Sequence, residues 1–420
     1  MDKLIIEGGK PLSGAVKVQG SKNALLPILA SSVINPCEYT LTNCPRITDA
    51  YAMAQIIELA GGKLVFEGNT MRVDTSGMRK NDVPPEQTRA MRSSVFLLGP
   101  MLSRFHHVSC AYPGGCAIGS RPIDLHIKGF RTLGVCVEEI GGRIICDSTA
   151  AHAGSVHLDF PSVGATENLM MLAASLDGVT EIKNAAREPE IVDLQNFMQA
   201  QGIQAEGAGS STVRVTGGIK YKQKVNYNIM PDRIAAGTIL CATAATHGKT
   251  ELHGVDPDDL SAVCSKLSEI GCKISVKCDT IFIDATDTAL CAPQIIETMP
   301  YPGFPTDMQA PMLALCTVAC GTSVFCESIY ENRYRHAAEL RRMGADITIC
   351  GRTAVVRGGT LHGATVSAED LRGGAALVIA GLAADGTTVV ENADRFIDRG
   401  YESIENTLSA LGADIKRIRK

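Results

Sequence analysis

Met343-Gly344-Ala345-Asp346-Ile347 and Leu411-Gly412-Ala413-Asp414-Ile415 are nearly the same phrase written twice. Four more versions precede them: Leu59-Ala60-Gly61-Gly62-Lys63-Leu64, Leu133-Gly134-Val135-Cys136-Val137, Gln201-Gly202-Ile203-Gln204-Ala205 and Ile270-Gly271-Cys272-Lys273-Ile274. Each reads as the end of an amphipathic helix, a glycine, then a strand. The glycine stands where a left-handed helix C-cap is expected. The interval of roughly 70 residues exceeds that of solenoid repeats, so each unit is expected to be a small α/β module.

Each unit carries a second helix, expected over 22–32, 89–103, 166–176, 232–245, 307–319 and 370–384. These stretches are apolar almost all round and rich in Ala, Leu and Met. Helices of that kind are buried on every side. Strand-like segments rich in Thr and Val follow, as at 250–253, 322–326 and 387–391. The unit therefore reads as strand, buried helix, strand, amphipathic helix, strand, strand. The last unit is short of strand after its glycine, while strand-like segments at 3–7 and 15–19 open the chain. The simplest closure pairs these with the C-terminal unit. It predicts one three-unit domain of residues 22–229 and another of 1–21 plus 230–420, with crossings near Gly20–Lys22 and Ile229–Pro231 and a cleft between the domains.

Composition agrees with a two-domain globular chain. There are 420 residues, 45% hydrophobic and 20% charged, with a net charge of -5. That charge gives no support to nucleic-acid binding, so any anionic ligand needs local positive charge. The first residues lack the apolar run of a signal peptide, and no segment reaches the roughly 20 apolar residues of a membrane span. A cytoplasmic protein is expected, with its 15 cysteines reduced and most of them buried as small hydrophobes. No cysteine pair has a partner pair at zinc-ligand spacing.

Polar residues recur where helices begin: Lys22-Asn23, Arg92, Thr166-Glu167, Asp232-Arg233, Asp307 and Asp370-Arg372 before the buried helices, and Arg46, Arg121, Arg187-Glu188, Asp258-Asp259, Arg333 and Arg399 before the amphipathic ones. Cations there oppose the helix dipole, so they do not serve helix stability. With free backbone N–H groups they make sites for phosphate and carboxylate. A solvated surface charge is the other reading of any single arginine, and recurrence in register weighs against it. For Asp307 the pattern leaves two readings, a helix-capping acid or a general base. Cys116 lies in Tyr112-Pro113-Gly114-Gly115-Cys116-Ala117-Ile118-Gly119-Ser120-Arg121-Pro122, a loop by its glycines and prolines. It is either a reactive thiol beside Arg121 or a tolerated loop cysteine.

Along nearly its whole length the chain resembles the UDP-N-acetylglucosamine 1-carboxyvinyltransferases, the enolpyruvyl transferases that begin peptidoglycan synthesis. The resemblance rests on Gly20-Ser21-Lys22-Asn23-Ala24, the 113–121 loop continuing to Asp124-Leu125-His126, Ser162-Val163-Gly164-Ala165-Thr166, Ala186-Arg187-Glu188-Pro189-Glu190, Pro231-Asp232-Arg233, Phe304-Pro305-Thr306-Asp307-Met308, Glu331-Asn332-Arg333, Asp370-Leu371-Arg372 and Asp398-Arg399-Gly400-Tyr401-Glu402. It implies a two-domain inside-out α/β barrel of six units, and two substrates, phosphoenolpyruvate and a UDP-sugar, with no metal or organic cofactor. By the same resemblance Asp307 takes the proton of the sugar hydroxyl, and Cys116 protonates the donor from a closing loop. Lys22, Asn23, Arg121, Arg372 and Arg399 hold phosphoenolpyruvate. Asn23, Arg92, Arg121, Pro122, Ile123, Asp124, Leu125, Ser162, Val163, Gly164, Asp307 and Ile329 line the UDP-sugar site. Phe160-Pro161 stands where many members carry a basic residue toward the nucleotide. A related enzyme using shikimate 3-phosphate as acceptor shares fold and donor but lacks the Gly-Gly-Cys loop. A non-catalytic UDP-sugar sensor would lack one of Lys22, Cys116, Asp307 and Arg399, and all four are present.

Overall fold

A computed structural model describes residues 2–83, 86, 92–112, 123–218 and 222–419. All six repeat glycines adopt the left-handed conformation, with φ from 82° at Gly134 to 113° at Gly271. A residue with a Cβ is strained there. Each therefore stops its helix at the same point and turns the chain into a strand.

Six four-stranded sheets result, and all six share one pattern: a parallel pair at one edge, then two antiparallel pairs. In the fifth repeat Ile295–Glu297 pairs in parallel with Thr322–Cys326, across the buried helix Gln309–Cys316. Thr353–Arg357 and Asp346–Cys350 complete that sheet. Among the described residues no sheet closes into a barrel. Each stops at four strands, so the barrel wording of the expected fold is too strong, while the arrangement of helices inside and sheets outside holds.

The chain divides into two compact units. One comprises residues up to Gln19 and from Pro231 onward; the other comprises the described residues from Gly20 to Met230. In the first, Lys3–Glu7 lies between Thr387–Glu391 and Asp414–Ile418, with Leu4 opposite Val390 and Ile6 opposite Ile415. Ser13–Lys17 pairs in parallel with Lys249–His253. This strand begins two residues earlier than expected, and its pairing is prolonged only by Val18 N donating to His253 O (3.0 Å). In the second unit Lys224–Asn228 pairs in parallel with Glu38–Thr42. Both passages from unit to unit thus fall at one place in the repeat, between its first strand and its buried helix.

The three buried helices of the first unit, Arg233–Ala245, Gln309–Cys316 and Leu371–Ala383, pack on one another. Leu371–Ala383 is buried at every position from Arg372 to Leu382. Each such Leu or Ile contributes about 1.5–3 kcal/mol by leaving water. In the stretch expected as helix 89–103 the described residues run as a 3-10 turn, Arg92–Leu97, before Leu98–Phe105, and the helix expected over 307–319 is preceded by the 3-10 turn Thr306–Met308 before Gln309–Cys316. Both α-helices carry proline at their third residue, Pro100 and Pro311. Proline costs no helical hydrogen bond in the first turn and so suits the place where an α-helix begins, whereas Pro27 stands at the sixth residue of Lys22–Ser31. Asn168 ties the second unit together: Oδ1 accepts from Gly99 N (2.7 Å) and Nδ2 donates to Val95 O (3.0 Å).

Of the described cysteines seven are buried and five exposed, so fewer than expected are core residues; all are free thiols. The exposed ones sit at strand ends and turns, as Cys278 does at φ 52°. Among the described residues no helix is long and apolar enough to cross a membrane, and no group of three acidic, His or Cys side chains is placed to hold a metal ion.

Candidate active site

In the unit that includes the C-terminal half, the loop Gly303–Pro305 delivers Asp307 into the 3-10 turn Thr306–Met308. The residues at the two N-cap positions, Pro305 for the turn and Met308 for the helix that follows, make no side-chain capping bond. Its carboxylate accepts from Arg333 Nη2 (2.6 Å) and from Arg372 Nε and Nη2 (3.2 and 3.0 Å). Both arginine side chains are only 3% exposed, and the aspartate side chain 26%. Asp307 is thus at once an acid in the first turn and the shared partner of two buried arginines. Asp232 and Asp370 are the acids that cap, on Ile234 and Ala235 N (2.9 Å each) and on Gly373 N (2.8 Å).

Burial works against both guanidinium charges. For Arg333, attraction to Asp307 and Asp370 outweighs it and the pKa is raised. For Arg372, Tyr401, Asp307 and Asp232 do the same. The Arg372 guanidinium lies 5.2 Å from the ring centre of Tyr401, whose hydroxyl is 2.9 Å from Thr238 Oγ1. Arg372 Nη1 has no hydrogen-bond partner among the described residues. A buried N–H left over on a charged fork can receive an anion.

Arg399 ends the 3-10 turn Ile397–Arg399 and is half-buried. The chain on either side is anchored. Gln19 donates to Gly400 O (3.0 Å) and accepts from Glu402 N (2.8 Å). Asp398 takes both Arg417 Nη atoms (2.8 and 2.7 Å), and Arg417 also binds Glu405 (2.7 and 2.9 Å). Ile329 lies in the turn after Thr322–Cys326, and its N–H donates to Glu327 Oε1 (2.9 Å).

In the other unit Lys22 is the first residue of the helix Lys22–Ser31, capped by Ser21 on Ala24 N (3.3 Å). Lys22 Nζ pairs with Asp49 Oδ2 at 2.9 Å, with side chains 12% and 5% exposed. Asn23 is half-buried, and Pro27, four residues on, cannot donate the helical bond to its carbonyl. Ser162 caps Val163–Ala173 through Ala165 N (3.4 Å). That helix start lies against Asp124–Thr132: a Cβ on Gly164 would come within 3.2 Å of the His126 ring. Asp124, Leu125, Ser162, Val163 and Gly164 are thus neighbours, with Asp124 exposed, Leu125 half-buried and Ile123 buried beneath. Phe160 is 42% exposed just ahead of them. Arg92 opens the 3-10 turn Arg92–Leu97. Cys116, Arg121 and Pro122 lie outside the described residues.

Asp49 and Glu327 escaped the sequence reading, because a lone acid in an amphipathic helix or a strand end carries no signal of its partner. Arg333 and Tyr401 stand inside the quoted motifs, and the recurrence of arginines before helices had already marked Arg333.

The family described as EPSP synthase (3-phosphoshikimate 1-carboxyvinyltransferase) matches residues 6–408. UDP-N-acetylglucosamine 1-carboxyvinyltransferase 2 of Caldanaerobacter subterraneus is 48% identical over the whole of both chains. A protein of Carboxydothermus hydrogenoformans, UDP-N-acetylglucosamine 1-carboxyvinyltransferase 1, is 46% identical over all of this chain and 99% of its own. Among solved structures the enolpyruvyl transferase NikO of Streptomyces tendae superposes with a TM-score of 0.89 at 24% identity, over 99% of this chain and 98% of its own. The EPSP synthase of Acinetobacter baumannii does so at 0.74 and 16%, over all of both. The structures establish the fold; the full-length identities go further, and by them the chain belongs to the enolpyruvyl transferases, among the UDP-N-acetylglucosamine 1-carboxyvinyltransferases.

Proposed function

We propose that the protein transfers the enolpyruvyl group of phosphoenolpyruvate to the 3′-hydroxyl of UDP-N-acetylglucosamine and releases phosphate, the first committed step of peptidoglycan synthesis, in the cytoplasm. The observation that carries this reading is the 44–48% identity, end to end, with relatives of that name. The EPSP synthase that acts on shikimate 3-phosphate shares only 16%.

Asp307 accepts the hydroxyl proton as its oxygen attacks C2 of phosphoenolpyruvate, and Cys116 supplies the proton to C3. The tetrahedral adduct then expels phosphate. Lys22, Arg121 and Arg399 stabilise the charge that develops, with Asn23 and Arg372 beside the donor. Asp124, Leu125, Ser162, Val163 and Gly164, whose clustering supports the assignment, hold the UDP-sugar together with Arg92, Pro122, Ile123 and Ile329. A carboxylate held by two guanidinium groups is a weak base. Arrival of an anion at Arg372, through its unpartnered Nη1, loosens that grip and frees Asp307 to take the proton.

The test is phosphate release from phosphoenolpyruvate with each acceptor in turn. Release with UDP-N-acetylglucosamine is expected. Release with shikimate 3-phosphate alone would overturn the reading.

A further inference from the structure

Glu327 is 1% exposed and follows the strand Thr322–Cys326. Its Oε1 accepts from two successive amides, Ile329 N (2.9 Å) and Tyr330 N (3.0 Å). Both carboxylate oxygens lie 3.0 Å from Thr306 Oγ1, which donates to them. Thr306 opens the 3-10 turn that holds Asp307. One buried carboxylate therefore grips two loops 21 residues apart in sequence. The loop behind it is also fixed: Glu327 N donates to Arg352 O (2.8 Å), Ser328 N to Thr298 Oγ1 (3.0 Å), and Arg352 Nη1 to Ser328 O (3.1 Å).

A carboxylate that accepts backbone N–H groups sets the backbone geometry of the turn it caps. Here the turn bears Ile329, assigned to the sugar site, and the hydroxyl partner precedes the assigned base. Every atom in this arrangement belongs to one unit. We propose that Glu327 is a positioning residue for the transfer reaction, holding the sugar-contact turn at Ile329–Tyr330 and the base loop at Thr306–Asp307 in one register. The inference rests on the reaction proposed above. Its expected signature is selective. The Thr306 arm serves the base and acts on kcat; the amide arm serves the acceptor and acts on the KM for the UDP-sugar. The KM for phosphoenolpyruvate depends on neither.

The experiment compares steady-state phosphate release and unfolding temperature for the unaltered chain, Thr306→Val, Thr306→Ser and Glu327→Ala. Thr306→Val keeps the shape and removes the donor. It is expected to lower kcat by about tenfold, since small misplacement of a reacting group is costly, with the KM for phosphoenolpyruvate unchanged, and Thr306→Ser is expected to restore kcat. Glu327→Ala is expected to raise the KM for UDP-N-acetylglucosamine as well as lower kcat. Should that variant not fold, the threonine pair decides. Thr306→Val with unaltered kcat overturns the inference, as does a loss that Thr306→Ser shares or that falls equally on both KM values. An unaltered chain that releases no phosphate with UDP-N-acetylglucosamine overturns the activity reading and this inference with it; normal turnover with indifferent variants overturns this inference alone.

Discussion

Two residues carry the proton traffic in the proposed reaction, and they differ in what surrounds them. Asp307 is held by charge. Asp307→Asn is expected to lower kcat by roughly 10²–10⁴-fold. It also takes from Arg333 and Arg372, both 3% exposed, the carboxylate charge they share, leaving Asp370 near the first and Asp232 near the second. The ligand-free variant should therefore unfold at a lower temperature, and added phosphoenolpyruvate should recover more of that loss than it adds to the unaltered chain. Cys116 is marked by its sequence surroundings. Burial pushes the thiols of Cys44, Cys146 and Cys316 up to about 12, which keeps them from reacting as thiolates. From the loop setting of Cys116 beside Arg121, the epoxide fosfomycin is expected to alkylate it in preference to the exposed Cys136, Cys278, Cys291, Cys320 and Cys350 and to stop turnover, read by peptide mass mapping. Cys116→Asp should keep an acid in place, retain activity and lose the sensitivity. At this scale the sequence named candidates by residue type and setting, such as Lys22 before an apolar helix and Asp307 after Gly303-Phe304-Pro305. It was blind to partners such as Asp49 and Glu327, whose meaning comes only from what the fold sets within 3 Å of them.

Elements set these residues by anchoring helix starts. The final strand Asp414–Ile418 carries Arg417, which binds Asp398 beside Arg399, and Glu405 on the helix Ile404–Ala410. The guanidinium side chain is 9% exposed. Arg417→Met would leave three carboxylates, Asp2, Asp398 and Glu405, without their cation and should cost about 3 kcal/mol in a denaturant titration, with phosphoenolpyruvate binding weakened through the displaced Arg399 turn. The helix Val163–Ala173 carries a cost of its own. Glu167 is fully buried on it, and neither carboxyl oxygen has a hydrogen-bond partner among the described residues. Burial first, then Glu190 and Glu188, raises its pKa well above 4.5. The folded protein then holds a proton that the unfolded chain gives up, so stability falls as pH rises above 4.5. Glu167→Gln should raise the unfolding temperature at pH 8, and the gain should shrink as pH falls and vanish below 4.5. The buried helices themselves were legible in the sequence because an all-apolar stretch has one stable place to go. Their first turns were not, since a proline at the third residue accompanies the change from 3-10 to α geometry without altering the apolar pattern.

Across the whole molecule the six-fold repeat was the most legible feature. A glycine that must take positive φ is a local demand, and it recurs in the sequence as plainly as in the backbone. Which strand completes which sheet follows from contacts hundreds of residues apart, and pattern alone places such strands only approximately, as the shift to Ser13–Lys17 shows. Lys3–Glu7 is an interior strand of its sheet, bonded on both sides. Removing residues 1–9 should therefore unfold the sheet holding Thr387–Glu391 and Asp414–Ile418. Amide hydrogen exchange should show protection lost there and kept at Glu38–Thr42 and Thr70–Asp74.

Lys3 faces Ile418, and that pairing has a consequence in time. A ribosome makes Lys3–Glu7 first and the two strands that flank it last. The residues from Gly20 to Met230 have every strand of their three sheets once Asn228 has emerged. Lys3–Glu7 must wait for Thr387–Glu391 and Asp414–Ile418, a further interval of roughly 10–40 s at ordinary rates of synthesis. Ser13–Lys17 meets its partner once Lys249–His253 is made, but through the whole wait the nascent chain carries Lys3–Glu7 unpaired ahead of a finished body, and this is the stage of its life at which chaperones have most to hold.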